Sequence, residues 1–138
     1  MKETVDAEIR VRYAETDKMG VVYYANYLVW FEVGRAEFCR QRGFRYAELE
    51  QNGFLLVVTE ARCRYVKPAR YDETVIVRTR LKEAGRRVVG FGYQILRQGK
   101  EEVLAEGETR HVSLDLQGKP RSLPEAFMTR LVGDGRKP

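Results

Sequence analysis

At 138 residues, with 33% of them charged and a net charge of +5, the chain has the size and composition of one globular domain that buries about two-thirds of its unfolded surface. No segment reaches the ~18 apolar residues of a membrane span. The opening MKETVDAEIRVRY alternates charged and apolar residues where a signal peptide would carry a hydrophobic run. A cytoplasmic protein with no membrane insertion is therefore expected. Two cysteines, Cys39 and Cys63, are too few for a disulfide framework or a zinc site, and both are expected as buried thiols.

Val5, Ala7, Ile9, Val11 and Tyr13 alternate with Asp6, Glu8, Arg10 and Arg12, which predicts a strand with one wet face. From Asn26 to Arg42 the period changes: Tyr27, Leu28, Phe31, Gly34 and Phe38 recur at helical spacing, thickened by Val29, Trp30 and Val33. A helix so apolar over its first two turns should be nearly engulfed by other elements. Asn26 is the expected N-cap and Gly43 the C′ residue, while Gly34 predicts a close neighbouring backbone. Arg45 to Asn52 reads as a short helix closed by Gly53.

Four further strands are predicted at 54–67, 73–82, 87–97 and 102–116, with turn residues at each break. Short links make antiparallel hairpins the natural connection. Ser122 with Glu125 resembles a capping box opening a last helix through Leu131. The expected organisation is one domain over residues 1–132 and a disordered tail at 133–138. One long helix inside a small protein needs a wrapper, and a curved antiparallel sheet supplies it, with edge strands that invite pairing to a second copy.

The residue inventory removes several chemistries. His111 is the single histidine, which excludes a His-rich metal site. The two serines, Ser113 and Ser122, lie in no G-x-S-x-G, and no phosphate-cradling glycine loop is present. Eighteen arginines against seven lysines favour forked recognition of phosphate or carboxylate, with a salt-bridged surface among twenty acidic residues as the plain alternative. No basic run carries interleaved aromatics, so nucleic acid is not an expected partner.

Carboxylates remain, and Asp17 stands out over Glu60, whose strand position beside Arg62 and Arg64 reads as a surface ion pair. The stretch DKMGVVYYAN from Asp17 to Asn26 places a carboxylate in a Gly20-containing loop just ahead of a helix N-terminus. The first N–H groups of a helix lack intrahelical partners and carry roughly +0.5 of an elementary charge. They can receive an oxygen that turns negative in a reaction, with Asp17 as base or nucleophile beside them. The alternative is that Asp17 only closes a turn.

Thr16-Asp17-Lys18-Met19-Gly20-Val21-Val22-Tyr23-Tyr24-Ala25-Asn26-Tyr27-Leu28, followed by Trp30-Phe31-Glu32 and Arg35, strongly resembles the signature of hotdog-fold acyl-CoA thioesterases of the 4-hydroxybenzoyl-CoA and YbgC type. The block from Tyr65 to Glu73 resembles the family's second recurring segment. The resemblance implies an α+β hotdog fold, a curved antiparallel sheet around one central helix, assembled as a homodimer or homotetramer. It implies hydrolysis of an acyl-CoA thioester without metal or other cofactor, coenzyme A being part of the substrate. The family's catalytic aspartate maps onto Asp17, and its carbonyl-polarising N–H groups map around Tyr23 and Tyr24. Many members carry histidine where this chain has Tyr24, so no imidazole acts there. Arg62, Arg64, Lys67 and Arg70 are the candidates to hold the nucleotide end of coenzyme A, and a solvated strand face would explain them too. The competing reading is a non-catalytic hotdog module that binds acyl-CoA or acyl-carrier protein.

Overall fold

The computed structural model describes residues 3–133, so the expected tail lies, from residue 134 on, outside the described residues. Five strands, β1 (Thr4–Arg10), β2 (Leu55–Tyr65), β3 (Thr74–Ala84), β4 (Val88–Arg97) and β5 (Glu102–Leu114), form one antiparallel sheet in the order β1-β3-β4-β5-β2. Register shifts at Val58/Glu60, Leu81/Glu83 and Ile95/Leu96 mark bulges, which bend strands and raise their twist. The long helix α1 (Asn26–Gln41) lies against one face, joined by the short helices α2 (Tyr46–Gln51) and α3 (Glu125–Val132). This is the hotdog fold.

Aromatic packing fixes α1 to the sheet. Phe31 stacks on Tyr93 of β4 with ring centroids 4.3 Å apart, and Phe38 meets Phe91 edge-on at 5.7 Å. Gly34 is explained by side chains rather than by the expected backbone: a Cβ there would lie 2.5 Å from Thr79 Oγ1 and 2.5 Å from Val77 Cγ1 of β3. Gly43 takes φ +93° directly after the C-cap Arg42, the left-handed C′ position predicted for it.

Four expectations are corrected. The first strand ends at Arg10, because the chain must leave the sheet to reach α1, and residues Tyr13–Glu15 form a 3₁₀ turn instead. Asn26 is not an N-cap: Ala25 holds that position in helical conformation, and the Asn26 side-chain amide reaches back 2.9 Å to the Glu15 carbonyl. Ser122 caps nothing, since α3 begins after Pro124, whose ring already fixes φ at −62°. Cys63 is half-buried rather than buried.

The helix is also not fully engulfed. Leu28, Val29 and Val33 are 39%, 55% and 42% exposed, and on edge strand β2 Val58 and Tyr65, on the same side of the sheet as α1, are exposed as well. The sheet is too narrow to cover α1 on that side. No helix among the described residues is long and apolar enough to cross a membrane.

Candidate active site

Asp17 sits in a tight turn between the 3₁₀ segment and α1. Its Oδ1 accepts the Met19 N–H at 2.8 Å, its carbonyl accepts the Gly20 N–H at 3.0 Å, and its own N–H donates to Val21 O at 2.9 Å. Gly20 adopts φ +79°, which lets the turn close without a Cβ penalty. Asp17 thus does close a turn, but with one oxygen only. Oδ2 accepts no hydrogen bond from the described residues.

The helix opening is more specific than its sequence implied. The N–H groups of Asn26, Tyr27 and Leu28 donate to the carbonyls of Tyr23, Tyr24 and Ala25 at 2.9, 3.3 and 3.2 Å. The Tyr23 N–H donates to Glu15 O at 2.8 Å. Only the N–H groups of Tyr24 and Ala25, one step ahead of the helix, meet no acceptor among the described residues. Both belong to peptide units whose carbonyls are already hydrogen-bonded. The Tyr23 carbonyl accepts Asn26 N–H, and the Tyr24 carbonyl accepts both Tyr27 N–H and, at 2.9 Å, the Tyr65 hydroxyl. Such coupling polarises the peptide and strengthens the free donor at its other end. Burial pushes the Tyr65 phenol up, which keeps it a donor at neutral pH.

Asp17, Tyr24, Tyr27, Tyr65, Val66 and Lys67 all line one cleft of about 280 Å³. Tyr23 and Tyr24 pack with ring centroids 4.7 Å apart, and Tyr65 meets Tyr27 edge-on at 5.1 Å. Hydrogen bonding to Tyr24 raises the Tyr23 phenol, so the Tyr23 hydroxyl supplies no phenolate there. Of the sequence-predicted set, the structure brings together Asp17, Tyr24 and Lys67 at this cleft, while Tyr23 stands next to it with its amide already spent.

Arg62 and Arg64 lie elsewhere. A Cβ at Gly107 would strike the Phe31 ring, so Gly107 and its cross-strand partner Cys63 face α1, and the alternating Arg62 and Arg64 face away. There Arg62 pairs with Glu108 and Arg64 with Glu106 at 2.6 Å. The solvated-face alternative fits these ion pairs, and neither arginine lines the Asp17 cleft of this chain. The hollow on this outer face is larger, about 730 Å³, yet the carboxylates in it are spent on arginines. Lys67 pairs with Glu102 at 2.7 Å at the rim of the Asp17 cleft. The exposed Arg70 bridges by its backbone to Val21 behind the Asp17 turn, its N–H donating to Glu73 Oε1 at 2.7 Å.

The remaining nucleophile candidates are inert by placement. Burial pushes the Cys39 thiol up to about 12. His111 Nε2 is 2.9 Å from Thr109 Oγ1, which Tyr93 also contacts at 2.6 Å, and Ser113 Oγ has no partner, so no Ser–His pair forms. No group of three or more His, Cys, Asp or Glu among the described residues is placed to hold a metal. Sequence reasoning missed Glu15, which is buried beside Trp30, and Tyr65 as the donor to Tyr24 O. No local pattern points to these two contacts, since Trp30 lies 15 residues from Glu15 and Tyr24 lies 41 residues from Tyr65.

A carboxylate with one uncommitted oxygen, lining a cleft together with a residue whose main-chain donor is unspent, has the parts that acyl transfer requires. Comparison with known proteins fixes the class: the chain belongs to the thioesterase-like superfamily, matching its pattern over residues 11–131, and is a thioester hydrolase of hotdog fold. It is 40% identical over 121 residues to YneP of Bacillus subtilis (strain 168), covering 87% of each chain. It is 31% identical to the acyl-CoA thioester hydrolase YbgC of Escherichia coli O6:H1, covering 87% of this chain and 90% of that one. Among solved structures it superposes on a DHNA-CoA thioesterase from Staphylococcus aureus with a TM-score of 0.84 at 37% identity, covering 87% of this chain and 80% of the other.

Proposed function

We propose that the protein hydrolyses an acyl-CoA thioester in the cleft shared by Asp17 and the Tyr24 amide. The carbonyl oxygen of the thioester accepts the Tyr24 N–H, with the Ala25 N–H as a second donor. Asp17 Oδ2 then acts in one of two ways. As a nucleophile it forms a bond to the carbonyl carbon while the C–S bond breaks, and water cleaves the resulting anhydride. As a general base it takes a proton from water while the hydroxide adds, and the departing thiolate recovers that proton. Either route needs no metal and no prosthetic group.

A single observation carries this reading: Asp17 holds its turn with one carboxylate oxygen and leaves the other open, in the cleft lined by a residue whose amide is also unpaired. Lys67, at the rim of that cleft, and Arg70, behind the Asp17 turn, are the cations assigned to the phosphates of coenzyme A, while Arg62 and Arg64 are not used. The uncovered apolar side of α1 and edge strand β2 supports a homodimer joined along β2, each partner covering the other's exposed Leu28, Val29 and Val33.

Thiol release from a panel of acyl-CoAs of graded chain length, with one benzoyl thioester, tests the proposal. The parent protein is expected to turn over at least one class, and Asp17→Asn to lose about 10²–10⁴-fold in kcat while still binding it. Binding without turnover by the parent protein would instead establish the non-catalytic module.

A further inference from the structure

Glu15 is an acid that no step of the proposed reaction uses, yet it is more thoroughly bound than Asp17. It is 5% exposed. Its Oε1 accepts the Arg12 N–H at 2.8 Å, with Arg12 Nε 3.6 Å away, and its Oε2 accepts the indole N–H of the buried Trp30 at 2.9 Å. Its carbonyl accepts the Tyr23 N–H at 2.8 Å and the Asn26 side-chain amide at 2.9 Å. One residue therefore ties together the 3₁₀ turn, the approach to α1 and the second turn of α1. Asp17 follows two residues later.

A buried carboxylate is a poor way to gain stability, because desolvation offsets much of what its hydrogen bonds return. What it supplies here is a fixed joint. On the reading that Asp17 and the Tyr24 N–H act on the thioester, we infer that Glu15 is the positioning residue for that pair. Its side chain fixes the Asp17 turn against α1. Its carbonyl occupies the Tyr23 N–H and so leaves Tyr24 as the first unspent donor ahead of the helix.

Glu15→Gln tests this with little change of shape. The side-chain NH₂ cannot accept from an N–H, so either Arg12 or Trp30 loses its partner. A misplacement of about 1 Å costs about 10²-fold, so kcat is expected to fall about 10–100-fold with KM within about two-fold and the far-ultraviolet circular dichroism unchanged. Trp30 is the chain's one tryptophan, so its emission reports the lost bond directly. Trp30→Phe, which removes one donor and keeps Glu15, is expected to lower kcat in the same way, and the double variant to fall no further than Glu15→Gln alone. If Glu15→Gln does not fold, Trp30→Phe decides the matter by itself. Parental kcat in the folded variant, or a loss that only follows the fraction of folded protein, overturns the inference. Asp17→Asn assayed alongside separates the two claims. Parental turnover there overturns the active-site reading and this inference with it, whereas a slow Asp17→Asn with a parental Glu15→Gln overturns this inference alone.

Discussion

The outer face of the sheet and the mouth of α1 both carry charge, and they use it in opposite ways. On the outer face the acids Glu106, Glu108 and Glu83 are each matched to a cation: Arg64, Arg62 with Lys82, and Arg110. Lys82 and Arg62 hold the Glu108 carboxyl at about 2. At the helix mouth there are fewer polar groups, but one carboxylate oxygen and two amides are left over. In the larger hollow the carboxylates are therefore already committed to cations. Unspent hydrogen-bonding capacity, not the density of charge or the size of a depression, marks where chemistry can occur.

The sharpest way to break that contrast is to remove the amide without touching a charge. Tyr24→Pro deletes the N–H and is expected to cost about 10²–10³-fold in kcat, the typical loss of one oxyanion donor at about 2.7–4 kcal/mol. Tyr24→Ala keeps the amide and should stay within about ten-fold of the parent, because the side chain is replaceable where the main chain is not. Steady-state thiol release on the two variants side by side checks this.

A smaller effect concerns a polar group that is buried but not catalytic. Burial, with the Arg35 charge adding to it, lowers His111 to about 4. Against an unfolded value of 6.5, the folded state binds fewer protons between the two, so stability is lost as pH falls from 6.5 to 4 and is fully present above that window. The expected loss is about 3 kcal/mol from this residue. Urea unfolding at pH 7 and pH 4 measures it, with His111→Phe expected to show a correspondingly smaller drop.

Weaker still is the uncovered side of β2. Val58→Lys places a charge on the exposed strand edge facing α1's bare stripe and is expected to shift sedimentation toward monomer, with the circular dichroism retained. Least of all, Arg62→Ala should leave KM for acyl-CoA within about two-fold, because exposed ion pairs contribute little and this one is remote from the cleft. A large rise in KM would return the outer face to the active site.

Much of the fold was readable in the residue pattern, because it depends on local periodicity. The alternation through Val75, Val77, Leu81 and Val89, Phe91, Tyr93, Ile95 locates β3 and β4, and all of these residues are buried in the structure except Leu81, which is partly buried. The helical spacing from Tyr27 to Phe38 gives α1 to within one residue at its C-terminus, with Gly43 closing it. What escaped was set by contacts distant in sequence. Asn26 looks like a cap until Glu15 is known to stand 2.9 Å away, and the stripe Leu28, Val29, Val33 looks like core until the width of the sheet is known. The proposed site at Asp17 and Tyr24 could be picked out from a local motif. Which amides stay free could not, since Glu15 and Tyr65 decide it from outside the helix.

The structure of Asp17→Asn bound to a non-hydrolysable acyl-CoA analogue, in which the thioester sulfur is replaced by methylene, tests the central claim most directly. The analogue's carbonyl oxygen should lie about 2.7–3.1 Å from the Tyr24 nitrogen, with the residue-17 side chain beside the carbonyl carbon. A ligand seated on the outer sheet face among Arg62, Arg64 and Glu106, with the Tyr24 amide still unpaired, would contradict it.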